Sequence, residues 1–367
     1  MMGKQHHILL AGIVVLAALG ISLALLHSYS GLARRQPPHT AMGLMLQGAF
    51  ADKGWNHRNY EGAAAAAEEL GISLDSRENI AAGSADSRQV IRTMEGAGKK
   101  LLFLGSADYA GDMDMMRREG SKMVFAIPAL EQPPDSGCIP YFLRLYQGEY
   151  LSGVLAGMRT RSGKIGYVAS MPIPETVRGI NAFALGVRRV NPGAQVVVYW
   201  IGSWDDAAAE KQGTSLLIEK AGVDIVNSHQ DRANVQQEAA RHGVDSIAYQ
   251  EPMEDSDGHA IAVLVCDWSA VYRRIMQDYQ QGQLQPLYWE GIQDGAINLT
   301  DFSGRVTEEE KQTVSKAKQE IREGFTIFSG ELRDQQGIVR CAKDESLSDN
   351  TLIHMDWFVE GVRFYEK

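Results

Sequence analysis

The chain is poor in cysteine. Three occur in 367 residues, Cys138, Cys266 and Cys341, and no two stand at the Cys-x-x-Cys spacing of a metal or redox motif. An odd count allows at most one disulfide; we expect none, with free and partly buried thiols. Positive charge is also scarce: 36 Lys and Arg against 46 Asp and Glu give a formal net charge of −10. An acidic chain without a basic stripe argues against a nucleic-acid partner. Catalytic signatures are missing. There is no Gly-x-Ser-x-Gly elbow, Walker loop, His-Glu-x-x-His helix or Gly-x-Gly-x-x-Gly turn, Gly43 and Gly48 being wrongly spaced. The nine histidines are scattered, and His57, His229, His242 and His354 lack a spaced partner. Asp112 and Asp114 flank Met113, but Met115 and Met116 stand where a calcium loop needs oxygens. The expectation is therefore no enzyme, no metal and no cofactor.

One long apolar run is present. Ile8–Leu26 carries no charge over 19 residues, which as a helix spans roughly 28 Å, about the hydrocarbon thickness of a bilayer. Lys4 precedes it, and Arg34 and Arg35 follow. Residues 1–35 read as an uncleaved membrane anchor or a cleavable signal peptide. The length favours the anchor, because a signal h-region is shorter. Small residues in Ser28-Tyr29-Ser30 and Gly31-Leu32-Ala33 leave cleavage open. Either reading puts the remainder outside the cytoplasm. No cysteine lies near the end of the run, so a lipid-modified N-terminus is excluded. Arg34–His39 reads as an extended spacer.

From residue 41 strands and helices alternate. Strands are expected at Ala41–Leu46, Ser73–Glu78, Leu101–Gly105 and Met123–Ile127, with helices at Asn59–Leu70, Asp86–Ala97 and Ala107–Glu119. Gly71 is a C-cap candidate, and Ser84 or Asp86 an N-cap. Tyr146–Arg159 is helical, with small residues at 148, 153 and 157 for tight packing on its sheet. The alternation resumes with strands Lys164–Ala169, Gln195–Trp200, Asp224–His229, Ser246–Tyr249 and Ile261–Cys266. Helices Arg178–Val190, Asp206–Lys220, Asn234–His242, Val271–Gln280 and Thr307–Glu323 go with them. The length suits two domains, and the pattern predicts α/β lobes with parallel sheets covered on both faces. Lobe 1 is expected over 41–147, completed by segments from about 262–300. Lobe 2 is expected over 148–260, completed by segments from about 300–363.

In such sheets ligands bind where loops leave the C-terminal strand ends. Those junctions carry aromatic and short polar residues: Asp52, Trp55 and Asn56, then Tyr60; Ser106 and Tyr109; Trp204; Asp231; Trp268. Glu175 closes the Pro172-Ile173-Pro174-Glu175 loop after Ala169, and Asp294 lies in a late returning segment. Aromatic faces stack on a flat ring, and amides and carboxylates read its edge or its sugar hydroxyls.

Several blocks carry a resemblance. They are Asp52-Lys53-Gly54-Trp55-Asn56 with Tyr60-Glu61-Gly62; Gly148–Gly157; Gly163–Gly186; Gly202-Ser203-Trp204-Asp205; Ala221–Val226; Gly291–Gly295; and Met355–Val362. In these the chain resembles the basic membrane protein family of ABC-transporter substrate-binding proteins, over residues 41–363. The resemblance implies a periplasmic-binding-protein type I fold: two Rossmann-like lobes joined by a hinge that the chain crosses three times, with the ligand in the cleft between them. It implies a purine nucleoside or nucleobase as ligand and an ABC permease as partner. Carried over, Asp52 and Asn56 match the acid and amide of the first loop, and Trp55 or Tyr60 the stacking aromatic. Asp231 sits in a further loop of the family, Trp268 matches a loop whose tryptophan recurs among relatives, and Asp294 falls in the returning segment. The chain departs from the family in lacking the lipid-bearing cysteine, and has Ala107 where relatives carry phenylalanine.

The reading is an extracytoplasmic receptor that passes a purine to a permease. The alternative is a ligand-sensing module tethered by Ile8–Leu26 that reports occupancy to a signalling partner. An enzyme on the same fold is disfavoured by the missing catalytic cluster.

Overall fold

The structure, a computed structural model, describes residues 41–131, 138–230, 232–250 and 258–366. The apolar run Ile8–Leu26 and Asp231 lie outside the described residues. Among the described residues no helix is long and apolar enough to cross a membrane.

Strand β1 (Met42–Met45) is buried along its whole length, as a central parallel strand must be. Helix α1 (Trp55–Leu70) begins four residues before the expected Asn59 and ends at Gly71. Strand β2 (Leu74–Arg77), helix α2 (Ala85–Gly96), strand β3 (Leu101–Leu104), helix α3 (Ala110–Arg118) and strand β4 (Val124–Ile127) follow. Of the two cap candidates, Ser84 is the one used: its side chain accepts the Ser87 N–H. Strand β5 (Cys138–Leu143) closes the first run; Pro140 hides it from a propensity reading.

The second lobe starts with helix α4 (Leu145–Arg159) and strand β6 (Lys164–Ala169). Helix α5 (Pro174–Val190), strand β7 (Gln195–Trp200), helix α6 (Ala207–Leu216) and strand β8 (Ile225–Ser228) come next. Helix α7 (Asn234–Arg241), strand β9 (Asp245–Tyr249) and strand β10 (Ala260–Cys266) complete it. Helix α8 (Trp268–Gln281) packs on α1, and strand β11 (Tyr288–Glu290) pairs with β5, so both return to the first lobe. Strand β12 (Ile297–Thr300) lies antiparallel on β10, and helix α9 (Glu308–Arg322) packs on α4. Thr307 and Glu310 open α9 with a reciprocal capping box. The C-terminal part holds a small hairpin, β13 (Leu332–Arg333) with β14 (Val339–Cys341), then helix α10 (Asp349–Ile353) and strand β15 (Val362–Phe364).

The first sheet runs β11-β5-β4-β3-β1-β2 and the second β12-β10-β9-β8-β6-β7-β15. Every pairing in both sheets is parallel except β10 with β12. The chain therefore passes between the lobes three times: after β5, after β10 and after β11. The return to the first lobe covers residues 268–290, whereas β10 and β12 on either side belong to the second sheet.

The small residues of α4 work in two directions. A side chain on Gly148 would meet Leu264 and Ile297 of the sheet at 2.8 and 2.9 Å, whereas one on Gly153 would collide with the Phe183 carbonyl of α5. The tight packing expected on the sheet thus extends to a neighbouring helix. Residues 349–364 are fastened to α5 by buried polar side chains, among them Arg178, whose guanidinium donates to the Leu352 carbonyl at 2.6 Å.

Candidate functional site

The loop between β1 and α1 is built around Asp52. One carboxylate oxygen accepts the N–H groups of Gly54 and His57 at 2.8 and 3.0 Å. The other accepts the Asn56 side-chain amide at 2.7 Å and the Asn56 N–H at 3.3 Å. Burial opposes the charge, but the bonds from Asn56 and the backbone outweigh it and hold the carboxyl below its ordinary pKa. Four donors on one carboxylate explain why α1 begins at Trp55: Asp52 satisfies N–H groups of its first turn. Asn56 Oδ1 in turn accepts the Gly48 N–H at 3.1 Å. Both side chains line the cleft, and both are committed to shaping the loop.

Trp55 is aimed by three neighbours. Its Nε1 donates to the Gly105 carbonyl at 2.7 Å. The buried Trp268 ring meets it edge-on at 5.0 Å, and Phe142 stacks beside it at 6.1 Å. Asp52, Lys53, Gly54, Trp55 and Asn56 form one wall of a cleft of about 470 Å³.

The facing wall comes from the second lobe and is rich in amides: Gln230, Asn234, Gln236, Gln237 and Gln250, with Tyr249, Asp205 and Arg232. Gln230, with its amide in the orientation that satisfies both neighbours, donates to the Trp204 carbonyl at 2.9 Å and accepts the Ser170 N–H at 3.1 Å. Gln236 donates to Ser228 Oγ and the Ile247 carbonyl at 2.9 and 3.0 Å. Gln250 takes a φ of 70°, sparsely populated for a residue with a side chain, and its Oε1 accepts the Cys266 N–H. Arg232 Nε reaches both oxygens of Asp205 at 3.0 and 2.9 Å. Behind this wall His229 lies between the rings of Trp204 (5.8 Å) and Tyr249 (4.6 Å). Burial pushes its pKa down to about 4, so the imidazole is neutral at physiological pH.

The other expected residues are dispersed. Trp268 borders a small adjoining cavity with Lys53, Trp55 and Tyr249. Glu175 lines a second, separate cavity with Phe142 and Arg178. Trp204 packs beside the cleft against His229 without lining it. Tyr60 stacks on Phe50 at 4.1 Å, and Ser106 caps a short 3-10 turn by accepting the Asp108 N–H. Tyr109 points into the first lobe: it is fully buried among Met45, Leu104 and Met113, and its hydroxyl donates to the Ile80 carbonyl. It is therefore a core residue and cannot stack on a ligand in the cleft. Asp294 is exposed in the turn after β11, where it accepts the Gly291 N–H at 2.8 Å. It lines none of the cavities described here.

The amide wall is what sequence reasoning missed. Tyr249 ends β9 and Gln250 follows it, just as the recognised junction residues follow other strands, so the strand-end rule pointed there. Among the described residues no three His, Cys, Asp or Glu side chains gather as a metal site would require. The arrangement suits a neutral, flat ligand with hydrogen-bonding edges.

The chain is similar to several known proteins. A purine-binding protein of Brucella abortus is 28% identical over 327 residues, covering 88% of this chain and 92% of the relative. A protein of Haloferax volcanii whose name assigns it glucose binding for an ABC transporter is 29% identical over 316 residues, covering 85% and 78%. A solute-binding protein of an ABC transporter system from Conexibacter woesei shares the fold, with a TM-score of 0.64 at 19% identity over 78% of this chain and 97% of that one. The fold is thus the two-lobed type I architecture of periplasmic binding proteins. A family model described as ABC transporter substrate-binding protein, PnrA-like, matches residues 39–331, and the chain belongs to that family.

Proposed function

We propose that this chain captures a purine, as nucleoside or free base, outside the cytoplasm and delivers it to an ABC permease. One observation carries the reading: Trp55, aimed by its bond to Gly105, lines a cleft of about 470 Å³ whose facing wall is made of side-chain amides. The cleft falls in the size range of small-molecule sites. A purine ring stacks on the indole, and amides, each both donor and acceptor, read its edge. The relative from Brucella abortus supports the ligand class, and family membership supports the delivery role. Asp231, carried over from the family, serves the ribose hydroxyls. The segment Ile8–Leu26 keeps the receptor at the membrane.

Contacts on both lobes favour the closed arrangement, because only a ligand with different affinities for the two states shifts their balance. The test is calorimetry on the purified chain, unfolded and refolded to strip carried ligand. Adenosine, guanosine, inosine and adenine are titrated against glucose and a flavin. Micromolar or tighter binding of a purine is the expected result. Binding of glucose with no response to any purine overturns the reading.

A further inference from the structure

Phe142, whose ring is 6.1 Å from that of Trp55, lines a second cavity between the lobes, of about 320 Å³. No residue is shared between this cavity and the cleft. Its walls are largely apolar: Pro128, Leu130, Phe142, Ile173 and Ile353. One buried cation opens onto it. Arg178 is only 3% exposed, and its hydrogen bond goes to a neutral group, the Leu352 carbonyl. The guanidinium lies 5.0 Å from the Trp289 ring centre and 5.9 Å from that of Tyr146, and the strongest charge acting on it is that of Glu175. Burial lowers its pKa from the ordinary value, and the charge of Glu175 opposes that shift.

The start of α5 faces the same space through Ile173, Pro174 and Glu175. This 17-residue helix has no side-chain cap, and Thr176 in its first turn is fully buried with its hydroxyl unpartnered. An uncapped helix start and a guanidinium one turn further on together attract a carboxylate. Negative charge is also present: Glu175 lines the cavity, and Glu131 lines it while facing His354. Both signs at the edge of an apolar chamber suit a ligand that carries both.

We propose that this cavity binds a small zwitterion, an amino acid with an apolar side chain. Its carboxylate lies on Arg178 and the first turn of α5, its ammonium group turns toward Glu131 and Glu175, and its side chain rests against Phe142, Ile173 and Ile353. The site is separate from the purine cleft, and neither reading depends on the other.

The experiment uses the purified chain, stripped by refolding, in thermal-shift and calorimetric titrations. The probes are the common L-amino acids, and for each one that binds, the amine lacking its carboxylate. Ala129→Phe puts a bulky ring into the cavity and keeps the Arg178 cation, whereas Arg178→Gln removes that cation. An apolar amino acid is expected to bind, its amine to bind at least tenfold more weakly, and both variants to lose at least tenfold in affinity. Adenosine, titrated in parallel, reports separately on the cleft and is expected to be unaffected by Ala129→Phe. If Arg178→Gln does not fold, Ala129→Phe and the amine series decide. No binding by any amino acid, equal binding of the amine, or binding that survives Ala129→Phe overturns the proposal.

Discussion

The Val359 N–H donates to Asn181 Oδ1 at 2.9 Å, joining two residues 178 positions apart in sequence. The same fully buried amide donates through Nδ2 to the Trp357 carbonyl at 2.7 Å. Asn181 thus satisfies two backbone groups of a segment that has little regular structure of its own. That segment lies beyond the part matched by the family model, yet it supplies β15, the edge strand beside β7.

Asn181→Ala leaves those backbone groups without partners in a buried place. We predict a loss of about 2–3 kcal/mol, in the range for buried unsatisfied polar groups. Chemical denaturation measures the loss. Limited proteolysis is expected to cut the variant first within residues 349–366. A variant as stable and as resistant as the parent would show that the tail is held by other contacts.

Trp55→Phe keeps an aromatic face but cannot donate to Gly105, whereas Trp55→Ala removes both. Purine affinity is expected to fall modestly in the first and by at least tenfold, about 1.4 kcal/mol, in the second. Calorimetry on the two variants separates stacking from positioning. Equal affinity in all three proteins would remove Trp55 from the site.

The pKa of Asp52 is lower folded than unfolded. Its contribution to stability is therefore present above the unfolded value, near 3.9, and is lost as pH falls through the lower folded value. The group is only partly buried, so solvent screening keeps the effect small, about 1 kcal/mol or less. Asp52→Ala is expected to flatten the acid limb of a melting-temperature profile below pH 4. It also loosens the start of α1, which lowers purine affinity through Trp55.

Glu149 behaves in the opposite sense. It is buried in α4, and that burial pushes its carboxyl up to about 8, even though the amide of Asn227, which donates to it at 2.7 Å, opposes the shift. A carboxyl raised on folding stabilises fully below its unfolded pKa, about 4.3, and loses that contribution as pH rises toward 8. Glu149→Gln is predicted to remove the decline in melting temperature across this window. A parent profile flat from pH 4.5 to 8 would show that Glu149 stays ionised.

Much of the fold was legible because α/β alternation is written locally. Lys164–Ala169 and Gln195–Trp200 are strands with the expected limits, and the helix expected at Thr307–Glu323 is α9. Three of the missed strands share a physical cause. β11, β12 and β15 are three or four residues long and exist only through partners far away in sequence. The cleft was half legible. The pattern around Asp52 and Trp55 marked one wall, because an acid and an aromatic after a strand are conspicuous. Tyr109 had the same signature and turned inward, since which side of a sheet a loop residue takes is settled by packing. The facing amides carry no composition signal, and only the position of Tyr249 and Gln250 at the end of β9 pointed to them.

The three crossings bear on how the molecule comes into being. The first sheet lacks its edge strand β11 until residue 290 has left the ribosome, and α1 waits for α8 until residue 281. By then strands β6 to β10 have already been made. The lobe encoded first is thus the one whose ingredients arrive late, and the usual rule that N-terminal domains fold first during synthesis is blunted here. A truncation between residues 147 and 268 would yield a first lobe with an open edge and an uncovered helix, a form prone to pair with its own kind.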